Sequence, residues 1–178
     1  MMLSTYGGSA IALAVVSLAW PAESPAQTVR IRCGAVGSYT ASDGTIWQGD
    51  QYSTGGQLLY TGYPVSNTTD TTLYRYARQG YYGDFSYNIP VTNGAYQLTL
   101  KFAEIQYGSP GQRVFNVTVN GTQVLTNFDI VAQPGYWTAI DKQFQVTVSS
   151  GSDQLVVHGT VGWGVINAIR TPQLATRT

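Results

Sequence analysis

The period of the apolar residues limits this chain most. In residues 96–104, Tyr96, Leu98, Leu100 and Phe102 fall on one face, while Gln97, Thr99 and Lys101 fall on the other. Residues 113–119 repeat the pattern, with Phe115, Val117 and Val119 opposed to Asn116 and Thr118. A period of two fits a strand with one packed and one wet face; a helix would need a period of about 3.6. Asn120-Gly121 then supplies the pair of left-handed residues that a two-residue hairpin turn requires, and residues 122–126 form the returning strand. Further strands are predicted over residues 28–33, 84–89, 140–148, 154–158 and 165–170, with Asn93-Gly94 and Ser150-Gly151 as punctuation. No useful helical stripe follows residue 26, and residues 48–70, rich in Gly, Ser, Thr and Tyr, are long and weakly patterned. The expectation is an all-β sandwich or barrel.

Composition narrows the partners. Only 10% of the 178 residues are charged, against about 25% in an average soluble domain. Polar surface must come from hydroxyls, amides and the 13 tyrosines. Nine basic residues balance nine acidic ones, and no cationic run exists. Nucleic acid and an anionic membrane surface are therefore excluded as electrostatic partners. Residues 9–20, SAIALAVVSLAW, carry no charge. Such a run fits the core of a signal peptide and is too short to span a bilayer, although no Lys or Arg precedes it. Small residues around Ala26 place a cleavage there. The expected organisation is a signal peptide over 1–26, one domain over 27–171 and a tail or linker stub over 172–178. The protein is expected to be secreted or held at the cell surface, possessing no membrane insertion after leader removal.

Catalytic chemistry is sparse. The lone histidine, His158, sits in an alternating run, and no nucleophile elbow accompanies it. The lone cysteine, Cys33, cannot form an internal disulfide and reads as a buried strand thiol. One His and one Cys rule out a transition-metal cluster, and no Gly-rich phosphate loop is present. No cofactor, catalytic residue or metal ligand is assigned. A structural Ca²⁺ held by Asp side chains and backbone carbonyls is the one metal the composition leaves room for. Glu104 and Arg113 extend the core-facing parity of their strands and flank residues 106–112. An inward charge needs a partner, so the two are expected to pair and pin that loop.

Four stretches together resemble the malectin-type domains, grouped with carbohydrate-binding modules. They are residues 31–56 (IRCGAVGSYTASDGTIWQGDQYSTGG), 66–78 (SNTTDTTLYRYAR), 85–130, with the linked KFAEI, RVFNVTVNG and NFDI segments, and 166–170 (INAIR). The resemblance implies a jelly-roll-like, galactose-binding-like β-sandwich of two antiparallel sheets. It also implies a glycan site on loop aromatics at one rim, with an oligo- or polysaccharide as partner and no catalysis. Gln106 and Tyr107 stand where the family has two adjacent aromatics. Arg78 matches a family arginine; Gln79 replaces the tyrosine after it, and Tyr81 and Tyr82 lie just beyond. A further family tyrosine falls near Tyr60 or Tyr63. A family aspartate falls at Gly162, next to Trp163. The expected carbohydrate-binding set is Tyr60, Tyr63, Arg78, Tyr81, Tyr82, Gln106, Tyr107 and Trp163. Trp47 and Trp137 read equally as core plugs or ligands. Bacterial members of the family are usually modules beside other domains. Two other readings stand beside this one: an adhesive or structural sandwich without a sugar site, and a glycoside-active enzyme built on a pair of acids among Asp43, Asp50, Asp70, Asp129 and Asp141.

Overall fold

A computed structural model describes residues 27–175. The expected leader over 1–26 lies outside the described residues. In chain order the elements are β1 (Thr28–Arg32), β2 (Tyr39–Thr40), β3 (Ile46–Trp47), β4 (Ser53–Gly55), β5 (Gln57–Tyr60), the one-turn helix α1 (Thr71–Tyr74), β6 (Tyr76–Gln79), β7 (Phe85–Pro90), β8 (Gly94–Phe102), β9 (Val114–Val119), β10 (Thr122–Phe128), β11 (Ile140–Val148), β12 (Ser152–Val161), β13 (Val165–Ile166) and β14 (Ala168–Pro172).

The architecture is an all-β sandwich. A four-stranded antiparallel sheet, β1-β14-β8-β11, opposes a five-stranded one, β10-β9-β12-β7-β4. The inward residues of β8 and β9 meet in the middle. Phe102, Phe115 and Phe128 form a triangle with ring centroids 5.1 to 5.9 Å apart in tilted or edge-on contacts, the geometry aromatic quadrupoles favour. Tyr87, Tyr96, Leu98, Leu100 and Val117 fill the rest of that core. The hairpin at Asn120-Gly121 has the positive φ values its turn type demands, 49° and 78°, and pairs Val119 with Thr122.

Three expectations need correction. Residues 48–70 looked weakly patterned, yet they hold β4 and β5. Strands of three or four residues flanked by Gly55-Gly56 are too short to show alternation. The single strand expected over 165–170 is two, broken at Asn167, whose side chain works elsewhere. Finally, the expected tail does not begin at 172. Pro172 pairs with Thr28, Gln173 N–H donates to Gln27 O at 2.8 Å and Leu174 N–H to Ala95 O at 2.8 Å.

Asn167 is fully buried and ties the site end of the fold together. Its Oδ1 accepts from Ala103 N–H at 2.7 Å, and its Nδ2 donates to Tyr74 O at 2.8 Å and Tyr76 O at 3.0 Å. Its backbone N–H donates to Lys101 O, and its carbonyl accepts from Cys33 N–H. One amide thus fixes β8, α1, β6 and the end of β1 relative to β14. That junction holds a third small sheet, β13-β6-β5, from which the next loops spring.

Candidate functional site

Arg113 organises the rim. Only 3% of it is exposed, and its guanidinium faces three chain segments at once. Nε donates to Glu104 Oε2 at 2.6 Å. Nη2 donates to Gln79 Oε1 and Gln106 Oε1, each at 3.1 Å. Nη1 donates to the Trp163 carbonyl. The guanidinium carbon also lies 4.8 Å from the Tyr107 ring centroid, within cation–π range. The expected Glu104–Arg113 pair therefore exists, and it does more than close its own loop. Glu104 Oε1 accepts from the backbone N–H groups of Gln106 and Tyr107 at 2.9 and 3.1 Å, which fixes the turn that presents those two side chains.

Glycine lets the neighbouring loop close. A Cβ on Gly80 would stand 2.5 Å from Gly83 O and 3.0 Å from Trp163 Cβ, so only a bare backbone fits beneath the indole. The loop then displays Tyr81 and Tyr82, their rings 4.3 Å apart, with Trp163 5.5 and 5.9 Å away in edge contacts. Tyr82 is 83% exposed and has φ of 54°. That left-handed backbone costs a tyrosine about 1–2 kcal/mol. At Gly162, φ is 63° and a Cβ would meet Gln112 O at 2.9 Å, so the position corresponding to the family's aspartate is closed to a side chain.

A second aromatic group borders the same loop. Trp137 stacks on Tyr63 at 4.7 Å and 26°, and on Tyr136 at 4.5 Å and 22°. Trp137 N–H donates to Glu104 O at 3.0 Å. Burial first, and then the nearby Glu104 charge, raise the Tyr136 pKa above its ordinary value.

The structure thus gathers Gln106, Tyr107, Trp163, Tyr81 and Tyr82 around Arg113. Tyr63 lies apart from them on the Trp137 stack. Tyr60 and Arg78 are drawn off elsewhere. Tyr60 packs on Tyr76 at 4.6 Å, beneath a sandwich in which Arg32 sits 4.0 Å from Tyr76 and 5.0 Å from Tyr39. Arg78 is bound to Asp50 at 2.6 Å and to the Gly55 carbonyl, and Asp50 also accepts from Tyr87 at 2.6 Å. Burial alone would lower the Arg78 pKa, but the hydrogen bond and charge of Asp50 hold it above the ordinary value. Arg113, Gln79 and Tyr136 escaped the sequence reading as rim residues. The adjacent aromatics of the Gly135-Tyr136-Trp137 turn were the available signal. Trp47 is buried in the core.

Other chemistry is occupied. Burial and then the Asp50 charge push the Cys33 thiol well above its ordinary pKa, leaving it unreactive. A separate polar groove of about 270 Å³ is lined by Asp43, Trp47, Asp70, Tyr74, Lys101 and Arg170, and none of the expected site residues reaches it. Among the described residues, no three of His, Cys, Asp and Glu gather as metal ligands, and no helix is long and apolar enough to cross a membrane.

Comparison with known proteins agrees with the fold. The malectin domain family matches residues 27–166. Malectin-A of Xenopus laevis is 40% identical over 97 residues, covering 54% of this chain and 34% of that protein; the chain therefore matches about a third of that relative's length. Among solved structures, a Bacteroides uniformis β-glucuronidase superposes with a TM-score of 0.74 at 20% identity, over 84% of this chain and 18% of that one. The ANXUR1 extracellular domain of Arabidopsis thaliana gives 0.73 at 18% identity, over 85% and 50%. At such identities these two likenesses speak for the fold alone. With the family match running through nearly the whole described chain, the protein is a member of the malectin domain family.

Proposed function

We propose that this domain binds a carbohydrate at the Arg113 rim and catalyses no reaction, serving as a targeting module of a secreted or surface protein. One observation carries the reading: a single buried arginine holds Gln79 at the end of β6, Gln106 and Tyr107 of one loop and Trp163 of another in one place. Exposed Tyr81 and Tyr82 extend the surface. A sugar ring has an apolar C–H face and a hydroxylated edge. The aromatics suit the first; the Gln amides and tyrosine hydroxyls suit the second. Tyrosine does both with few rotatable bonds.

The state of Glu104 supports the absence of turnover. Its two oxygens are engaged by Arg113 and two backbone N–H groups, which suits an anchor rather than a proton donor. The family's membership in larger proteins supports a modular role, since the matched region is a minor part of the relative's length. The test is a glycan array on the purified domain, followed by titration of the best hit into Tyr107→Ala and Tyr82→Ala. Loss of binding in both supports the rim. Undiminished binding in both, or no hit on the array, removes it and leaves an adhesive or structural sandwich.

A further inference from the structure

The two main sheets have four outer edges, and three of them are blunted. Beyond β1 the chain that follows β3 closes the ladder: Arg32 N–H donates to Gln48 O at 2.8 Å, and Gln48 N–H to Arg30 O at 3.0 Å. β10 carries two register shifts against β9. β4 is three residues long. The fourth edge is β11, nine residues in unbroken register with β8, from Ile140 against Phe102 to Val148 against Gly94. Among the described residues its backbone pairs with no other strand. Every second residue of such a strand turns its N–H and C=O outward, which makes a template for a further strand.

Charge is the usual guard of an exposed edge, and here it is drawn away. Asp141 and Lys142 are the only charged residues of β11. Asp141 is bound by Lys101 and accepts from the Tyr74 hydroxyl at 2.6 Å. Lys142 has the inward parity of its neighbour Leu100, but its ammonium is held by Gln133 at 2.7 Å and lies 5.3 Å from the Phe128 ring centroid. Residues 143–148, QFQVTV, contain no charge, Gly or Pro, the composition of segments that pair edge to edge. Phe144 and Val146 pack on the core yet stay half-buried, because the sheet ends at β11.

A second copy of this chain fits that edge. Antiparallel pairing about a twofold axis through Phe144, the midpoint of the strand, engages all of its residues. Phe144 of one copy then meets Phe144 of the other, Gln143 meets Gln145, and Lys142 meets Val146. An axis through Asp141 or Lys142 would set like charges face to face, which is unfavourable. A glutamine amide is donor and acceptor at once, so a row of Gln–Gln pairs complements itself. Each copy offers one such edge, and a twofold axis consumes both, so the assembly closes at two.

We propose that two copies join through β11 into one continuous sheet. Phe102, at the rim end of β8, pairs with Ile140, so the antiparallel dimer carries its two rims at opposite ends. On the sugar-binding reading above, it bridges two glycans. The contact itself needs no sugar, so its test is independent of that reading.

The test is sedimentation velocity of the full chain across about 1–100 µM, where small interfaces become populated. The parent is expected to pass from monomer to dimer as concentration rises. Gln143 and Gln145 are exposed, so charge placed there spares the fold, as thermal melting will check. Gln143→Lys/Gln145→Lys and Gln143→Glu/Gln145→Glu should each raise the midpoint concentration at least about tenfold, because like charges meet across the axis. An equimolar mixture of the two variants should dimerise at least as readily as the parent. Gln123→Lys, on the bulged edge β10, should leave the parent's behaviour unchanged. A parent that stays monomeric throughout overturns the proposal, as do species larger than two, charged variants that dimerise like the parent, or a mixture that stays monomeric.

Discussion

Arg113 and Glu104 meet at 2.6 Å with only 2% and 1% of their side chains exposed. Such a pair is a weak source of net stability but a severe loss when halved, because the survivor is left charged and buried. Arg113→Ala should therefore cost about 3–5 kcal/mol, read as a lowered urea midpoint. Arg113→Lys should fail to rescue it, since an ammonium cannot reach four acceptors in a planar fork. A lysine variant as stable as the parent would show that the shared hydrogen bonds are not what holds the rim.

Asn167 gives a prediction of another kind. Asn167→Ala leaves the Ala103 N–H and the Tyr74 and Tyr76 carbonyls without the partners they have now. Each unanswered buried group costs about 1–3 kcal/mol, so the loss should be at least about 3 kcal/mol. Asn167→Asp should be nearly as damaging, because it keeps the acceptor and loses the donor. Thermal melting of the two variants checks this, and a small change in Asn167→Ala would mean that water substitutes for the amide.

Tyr82 separates backbone cost from ring function. At its φ of 54°, Tyr82→Gly should be more stable than Tyr82→Ala by about 1 kcal/mol, since only glycine relieves the left-handed strain. Both variants should lose sugar affinity equally. Equal stabilities would show that the turn relaxes once the ring is gone.

Alkaline pH should unfold the domain. The Tyr87 pKa is raised by burial first and then by its neighbours Cys33 and Asp50. That of Tyr74 is raised by burial and then by its hydrogen bond to Asp141. Cys33 shifts in the same direction. Each group keeps its proton longer in the folded chain than in the unfolded one. Its stabilising contribution is complete below the unfolded value, about 8.5 for Cys and about 10 for Tyr, and is lost as pH rises from there toward the folded value. Melting temperature should be level between about pH 7 and 8 and fall above about pH 9. Tyr87→Phe should lower it at neutral pH and flatten the decline. A melting temperature that holds to pH 11 in the parent would overturn this.

The sheets were legible because their strands are long enough to alternate. Tyr96 to Phe102 and Phe115 to Val119 declare their inner faces, and Asn120-Gly121 declares the turn between strands. Residues in β4, β5 and β6 were opaque for the opposite reason. A strand of three or four residues shows at most two members per face, and its pairing is decided by partners far along the chain. Parity brought Glu104 and Arg113 together before any coordinates, since an inward charge must find its opposite. Parity could not show that Gln79, Gln106 and the Trp163 carbonyl converge on the same guanidinium, because Gln79 ends a four-residue strand and the other two lie in loops without a period. Arg78 shows the reverse error. Its family position suggested a ligand contact, but Asp50, 28 residues away in sequence, claims its charge.

The first and last strands lie side by side, Thr28 against Pro172 and Gln27 against Gln173. The two ends of the described domain are thus neighbours in one sheet. A host protein can accept such a unit within one of its own surface loops, entering and leaving at nearly the same spot, without prising its structure apart. Residues 27–175 grafted into an exposed loop of an unrelated enzyme are therefore expected to leave that enzyme folded, and the graft gives the proposed sugar binding a second host in which to be measured.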